Sequence, residues 1–160
     1  MIKVGDKLPN VTFNVPGPDG TQQLATADVF GGKTVALFAV PGAFTPTCSV
    51  KHLPSFREKA AELKAKGVDA IACTSVNDQF VMSAWAKDQN VFGDIIMLAD
   101  GSGEFAKALG LDADFSKFGM GSRSKRYSMI VKDGVVSQLN VEDGGEYKVS
   151  SAEYLLGQLS

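Results

Sequence analysis

Apolar and polar positions in the first half of the chain alternate between two patterns. Residues Thr34–Val40 are almost continuously apolar and stop at Pro41-Gly42, which is typical of a strand covered on both faces. From Thr47 to Lys66 apolar side chains recur every three or four residues and Gly67 follows, so this stretch predicts an amphipathic helix. Its apolar positions are Val50, Leu53, Phe56, Ala60 and Leu63. Val68–Val76 is again strand-like, and this order predicts a parallel βαβ unit with a right-handed crossover.

The second half continues the alternation and ends in a hairpin. The predicted elements are a helix at Gln79–Gln89 around Phe80, Met82 and Trp85, a strand at Ile95–Leu98, a helix at Glu104–Leu109, strands at Tyr127–Val131 and Val135–Val141, and a helix at Ser151–Leu159. Asp133-Gly134 between the last two strands is typical of a tight turn. The tract before Phe30 is predicted to form an N-terminal hairpin and turn. No repeat or linker divides the sequence, so we expect residues 1–160 to form one α/β domain, a mixed sheet with helices on both faces.

Composition and charge narrow the function. The chain is 44 % hydrophobic with a formal net charge of -2, so it has no overall positive field to attract nucleic acid or anionic lipid. No apolar run approaches the roughly 20 residues of a membrane span, and Met1–Lys7 lacks the apolar core of a signal peptide. We therefore expect a cytoplasmic protein that binds neither membrane nor nucleic acid. Two cysteines and one histidine offer little to a metal, which leaves thiol chemistry.

The segment between the first buried strand and the long helix carries the candidate chemistry. If Thr45 caps the helix and Pro46 is its first residue, Cys48 lies in the first turn. Unpaired amides and the positive end of the helix dipole favour an anion there, so Cys48 is predicted to be a thiolate nucleophile. The alternative is that Cys48 is a small buried hydrophobic residue.

Four segments around and after this cysteine form a recognisable set: PGAFTPTC at residues 41–48, SVKHLPSF at 49–56, CTSVNDQFVMSAW at 73–85 and KRYSMIVKDG at 125–134. They resemble the active-site signature and flanking sequence of peroxiredoxins, and more narrowly of the type II subfamily. The resemblance implies a thioredoxin-like fold. The family's site residues correspond to Pro41, Thr45, Cys48 and Arg126.

That resemblance implies a thiol-dependent peroxidase for hydrogen peroxide and alkyl hydroperoxides, without metal, haem or flavin. Cys48 would attack the O–O bond and become a sulfenic acid, while Arg126 holds the thiolate charged and polarises the peroxide. Thr45 would orient the peroxide, and Pro41 would shield the sulfur from water. The reductant implied is glutathione, glutaredoxin or thioredoxin, and a homodimer is implied too. A redox sensor or chaperone that uses Cys48 without rapid turnover is the alternative.

Three further residues, His52, Pro54 and Cys73, bear on the chemistry of Cys48. His52 lies four positions after Cys48 and could be a general base, but a polar wall beside the pocket is favoured. Pro54 removes an amide within the helix and is predicted to kink or loosen that turn. Cys73 is predicted to be a buried, inert thiol. A resolving cysteine is the alternative, since some type II relatives carry a second cysteine 25 residues after the first.

The approach to the pocket is also suggested by the sequence. Phe44, Phe118 and Met120 could line an apolar mouth suited to organic peroxides, and ordinary packing of aromatic residues at loop ends is the alternative. Gly119–Gly121 lacks the strand and helix of a phosphate-binding loop, so we interpret it as part of a mobile loop that carries Arg126 into place.

Overall fold

The structure is a computed structural model that describes residues 1–144 and 146–159. Its strands are β1 (Thr12–Gly17), β2 (Gly20–Ala25), β3 (Thr34–Ala39), β4 (Ala70–Ser75), β5 (Ile96–Ala99), β6 (Asp112–Asp114), β7 (Ser122–Ser124), β8 (Tyr127–Lys132) and β9 (Val135–Val141). Its α-helices are α1 (Thr26–Phe30), α2 (Leu53–Glu58), α3 (Ala60–Ala65), α4 (Gln79–Gln89), α5 (Glu104–Leu109) and α6 (Ala152–Gln158). A π-helical turn covers Cys48–His52, and a short 3-10 turn covers Ser116–Phe118.

A mixed sheet of seven strands, in the order β2-β1-β5-β4-β3-β8-β9, organises the chain. β3, β4 and β5 are parallel, and the outer pairs are antiparallel. α2, α3, α4 and α6 pack on one face, and α1 and α5 pack on the other. This arrangement confirms the predicted mixed sheet with helices on both faces and the thioredoxin-like fold.

The predicted βαβ unit is present. β3 and β4 are parallel neighbours with Phe38 opposite Cys73, and successive β3 side chains enter the two core layers alternately. Every β3 residue after Thr34 is fully buried, which explains its nearly continuous apolar sequence. The loops that leave the carboxyl ends of β3 and β4 lie side by side as a result, and the first of them leads to Cys48.

The helix predicted over Thr47–Lys66 is not continuous. Its first part is the π turn, in which the Leu53 amide donates to the Cys48 carbonyl, and α2 and α3 are separated at Lys59. The π turn ends two residues before Pro54, and Pro54 itself lies in the first turn of α2, where the loosened turn was predicted. The wider turn also changes the helical phase, and Val50 is 71 % exposed rather than part of the core as predicted.

Phe80 is a second correction to the predicted core. The Asp78 carboxylate accepts from the Val81 amide and fixes the start of α4. Met82 and Trp85 then face the core, whereas Phe80, two residues before Met82, lies on the opposite side and is 75 % exposed.

The other predicted helices and strands differ from the observed ones by a few residues at their ends, and one two-stranded ribbon was not predicted. The N-terminal hairpin is formed by β1 and β2, and the hairpin at Asp133-Gly134 has positive φ at both turn residues, as its sequence requires. β6 and β7 form a two-stranded ribbon around Gly119–Gly121, where a loop was predicted. Among the described residues, no helix has the length and apolar character to cross a bilayer.

Candidate active site

Cys48 is fully buried in the first turn after β3. The Ser49 amide donates to the Thr45 carbonyl over 2.9 Å, so the helical backbone begins at Thr45, as predicted. The Thr45 hydroxyl does not cap this turn, however. It donates to the Gly42 carbonyl over 2.7 Å, which is a correction to the predicted side-chain cap. Because the hydroxyl proton is used in this way, the oxygen's lone pairs remain available to accept a hydrogen bond from a ligand.

Arg126 reaches Cys48 from the start of β8, although 78 positions separate them in sequence. Its Nη2 lies 3.1 Å from the Cys48 Sγ, and the arginine is only 8 % exposed. A buried guanidinium beside a sulfur stabilises a thiolate, because the arginine does not lose its own charge. The predicted pair is therefore brought together.

His52 contacts the arginine, a contact that sequence reasoning missed. Its Nδ1 lies 2.9 Å from the Arg126 Nη1, and its Nε2 lies 2.9 Å from the Ser150 carbonyl oxygen. Since an arginine can only donate and a carbonyl can only accept, His52 carries its proton on Nε2. Burial, reinforced by the charge of Arg126, lowers the pKa of His52 to about 3, so the ring is neutral. It therefore orients Arg126, and its Nδ1 lone pair is occupied by that contact.

The loop after β3 is held in place by small residues and an amide side chain. A Cβ added to Gly42 would lie 3.1 Å from the Met120 Cε and 3.3 Å from the Arg123 Nη1, so the β6–β7 ribbon approaches this loop closely. The Asn77 Oδ1 accepts from the Ala43 amide over 3.0 Å and joins this loop to the one after β4. Pro41, partly buried, follows the last buried residue of this strand region.

The three residues predicted to line an apolar mouth have different surroundings. Met120 lies beside Gly42, and Phe44 is half exposed with a φ of 66°, an unusual value for a bulky residue. Phe118 packs against Phe115 with the ring centroids 6.3 Å apart and is 69 % exposed. Arg123 donates to the Met120 and Val76 carbonyls, which ties the ribbon to the loop after β4.

Cys73 lies buried in β4 as a free thiol, in the same core layer as Cys48. Burial raises the pKa of Cys73 well above its ordinary value, and the neighbouring Cys48 raises it further. Cys73 is therefore a protonated and poorly nucleophilic thiol in this state. The expectation of a buried thiol is confirmed.

The buried Trp85 side chain contacts the helical segment that carries Cys48. The Trp85 Nε1 donates to the Ser49 Oγ over 3.0 Å, so α4 is joined to the residue that follows the cysteine. Across residues 1–144 and 146–159, no group of three or more His, Cys, Asp or Glu side chains is arranged to hold a metal ion.

Comparison with known proteins agrees with this geometry. The family model described as Redoxin matches residues 3–156. Peroxiredoxin-2B of Arabidopsis thaliana is 51 % identical over 161 residues, which cover 99 % of this chain and 98 % of that protein. Hybrid peroxiredoxin hyPrx5 of Haemophilus influenzae is 44 % identical over 159 residues, 98 % of this chain and 66 % of that protein. The crystal structure of reduced Prx3 from Vibrio vulnificus in complex with H2O2 superposes with a TM-score of 0.95 at 52 % identity, covering all of both chains.

A thioredoxin-like sheet with a buried cysteine beside a buried arginine defines a thiol-based oxidoreductase, and the matched segment shows that this chain belongs to the redoxin family. Its relatives place it among the type II peroxiredoxins. Peroxiredoxins are thiol peroxidases, so the enzyme class expected from the sequence is confirmed.

Proposed function

We propose that Cys48 is the nucleophile of this thiol peroxidase and that Arg126, Thr45 and Pro41 complete its site. The contact between the Arg126 Nη2 and the Cys48 Sγ, 3.1 Å long in a buried setting, carries this proposal. A fixed cation at that distance stabilises the thiolate and then the charge that develops on the leaving oxygen.

The proposed reaction transfers one oxygen atom to the sulfur. The Cys48 thiolate attacks one peroxide oxygen, the O–O bond breaks, and the other oxygen leaves as an alcohol or water after it takes up a proton. Sulfur is oxidised to the sulfenic acid. The Thr45 hydroxyl can accept from the peroxide O–H, because its own proton is donated to Gly42. Pro41 offers no amide to water at the pocket wall.

A pair of cysteine variants tests the nucleophile. Stopped-flow measurement should show rapid peroxide consumption by the wild type, with turnover under excess thiol. Cys48→Ser should reduce this to background, whereas Cys73→Ser, a matched change in the same core layer, should keep it. Stoichiometric oxidation of Cys48 without turnover would favour the redox sensor, and activity in Cys48→Ser would exclude Cys48 as the nucleophile.

A small thiol is the proposed reductant. Glutathione attacks the sulfenic acid, water leaves, and a mixed disulfide remains until glutaredoxin or a second glutathione restores the thiol. The deep burial of Cys73 supports this route over an internal disulfide, since Cys73 would have to leave the centre of the sheet. Thioredoxin is the alternative reductant, and turnover with each purified reductant distinguishes them.

The proposed homodimer uses the face around Cys48. Phe44, Val50 and Phe80 are exposed there, and the Asn77 contact to Ala43 brings the Phe44 and Phe80 segments together. Exposed apolar side chains grouped in this way are typical of an interaction surface. Sedimentation velocity should show a dimer that Phe80→Asp dissociates, while Val4→Asp, an equally polar change at an exposed apolar residue beside Val136 at the other end of the sheet, leaves it intact.

The remaining proposals concern organisation and location. We propose that residues 1–160 act as one domain, which is supported by a sheet whose strands run from Thr12 to Val141. We also propose a reducing compartment such as the cytoplasm, supported by two free buried cysteines. Cell fractionation with an antibody to the protein tests the location.

A further inference from the structure

One buried carboxylate, that of Glu142, holds residues 148–150, which lie beside His52. Glu142 follows β9, is 5 % exposed, and its backbone amide donates to the Arg126 carbonyl over 3.0 Å. Its Oε2 accepts from the amides of Lys148, Val149 and Ser150 at 2.8, 2.9 and 2.8 Å. The Ser150 hydroxyl donates to the same oxygen over 2.6 Å. Three successive amides and a hydroxyl converging on one carboxylate fix the backbone conformation of residues 148–150.

That fixed loop presents the carbonyl on which the histidine depends. The Ser150 carbonyl accepts from the His52 Nε2, and this contact leaves the Nδ1 lone pair facing Arg126. The other tautomer would place a proton between Nδ1 and a guanidinium that can only donate. Arg126 would then lose its second anchor, and its Nη2 would no longer be held at the sulfur.

We propose that Glu142 is a positioning residue for peroxide reduction, acting through the Ser150 carbonyl and the His52 tautomer on Arg126. The inference rests on the proposed function of Cys48 and Arg126 and extends it to a residue that touches neither the sulfur nor the peroxide. Glu142 sets the geometry of the arginine, and small displacements of such a group cost rate steeply.

The His52 tautomer separates positioning from simple loss of charge. Neutralising Glu142 without moving residues 148–150 leaves the Ser150 carbonyl at the His52 Nε2 and the tautomer unchanged. Loss of the positioned carbonyl mixes the tautomers and removes the anchor of Arg126. Asp143 supplies the matched control. It is the adjacent carboxylate, is exposed, and within the described residues its side chain makes no hydrogen bond.

The experiment compares Glu142→Gln with Asp143→Asn in the full chain. We expect Glu142→Gln to lower the rate constant for peroxide with Cys48 about 10-fold or more. Nitrogen-15 NMR of His52, the sole histidine, should show the Nε2–H tautomer in the wild type and a mixture in Glu142→Gln. Asp143→Asn should keep the wild-type tautomer and a rate within about twofold.

Each result decides the proposal. A folded Glu142→Gln with wild-type rate and tautomer overturns it, as does a slower rate with the wild-type tautomer. A purely structural role would lower the thermal midpoint while leaving the tautomer and rate unchanged, which also overturns it. If Glu142→Gln does not fold, Glu142→Asp replaces it, because aspartate keeps the charge but has a shorter side chain. Glu142→Asp should still mix the tautomers and slow the reaction with peroxide. A wild-type tautomer and rate in Glu142→Asp would overturn the proposal. A wild type that consumes no peroxide contradicts the proposed function, whereas the tautomer measurement is independent of peroxide.

Discussion

Arg126 uses its two terminal nitrogens for two different partners. Nη2 faces the Cys48 sulfur, and Nη1 is anchored on the His52 ring. A planar guanidinium holds both contacts at once because its donors have fixed relative directions, whereas an ammonium is a point charge on a flexible stem. The geometry of the arginine therefore matters for the site as well as its charge.

For this reason we expect Arg126→Lys to remain folded but to reduce peroxide about 10²-fold more slowly. The loss arises because lysine cannot keep the His52 contact while it faces the sulfur. The measurement is the rate constant for peroxide from stopped-flow kinetics, with the exposed neighbour changed in Lys125→Ala as the control. Rates near those of the wild type in Arg126→Lys would show that charge alone is sufficient.

At the scale of elements, the strands and helices that could be predicted from the sequence are those whose apolar pattern reflects their burial. β3 and β8 are apolar because both faces are covered, and α4 and α5 match their predicted ranges. β6 and β7 escaped prediction because three-residue strands of DAD and SRS contain no apolar alternation. The ribbon they form approaches the Gly42 loop through Met120 and Arg123, a contact that only the folded chain shows.

In the candidate site, too, some residues could be predicted from local sequence signals and others only from the folded structure. Cys48 and Thr45 could be found from helix-start signals, and the strand-helix order placed them at the end of β3. Arg126 required the family resemblance, since Arg126 alone looks like part of a basic surface cluster. His52 showed a usable signal in its spacing of four from Cys48, but its partner lies 74 positions away. Glu142 showed none, because amides recognise a carboxylate only in the folded loop.

The contact between α4 and the helix start gives a prediction at this scale. Ser49→Ala removes the acceptor of the buried Trp85 Nε1, which leaves an indole N–H without its partner. We expect a loss of about 1–3 kcal/mol in the free energy of unfolding, measured with urea. Ser122→Ala, at an exposed position on the ribbon, is the control. An unchanged stability in Ser49→Ala would mean that water replaces the hydroxyl.

At the scale of the whole molecule, the sheet constrains how the catalytic cycle can close. Cys73 is held at the centre of the seven-stranded sheet, between β3 and β5. A disulfide requires Cα atoms within about 7 Å and Cβ vectors that converge, and any exposure of Cys73 would disrupt strand pairing on both sides. Reduction of Cys48 by an external thiol leaves the sheet intact.

We therefore expect Cys73→Ser to keep most of its turnover with glutathione and glutaredoxin. Wild-type protein given one equivalent of peroxide and then glutathione should carry a glutathione adduct on Cys48, detected by mass spectrometry. Cys48→Ser, treated in the same way, should carry none. Rapid formation of a Cys48–Cys73 disulfide, with loss of turnover in Cys73→Ser for every reductant, would contradict this route.

The stability of the whole fold should depend on pH through one buried ring. The pKa of His52 falls from 6.5 in the unfolded reference to about 3 in the folded protein, so between these values the unfolded chain binds a proton that the folded chain excludes. Folding stability is thus fully present above about pH 6.5 and is lost as the pH falls towards about 3, by up to about 1.4 kcal/mol per pH unit. Burial raises the pKa of Asp100, whose contribution to the pH dependence has the opposite sign, so the comparison with a His52 variant isolates the His52 contribution. Urea unfolding of the wild type from about pH 7 to about pH 5 should show the decline, and His52→Asn, although less stable overall, should show a flatter dependence. Equal slopes in the two proteins would mean that His52 is not the group that titrates.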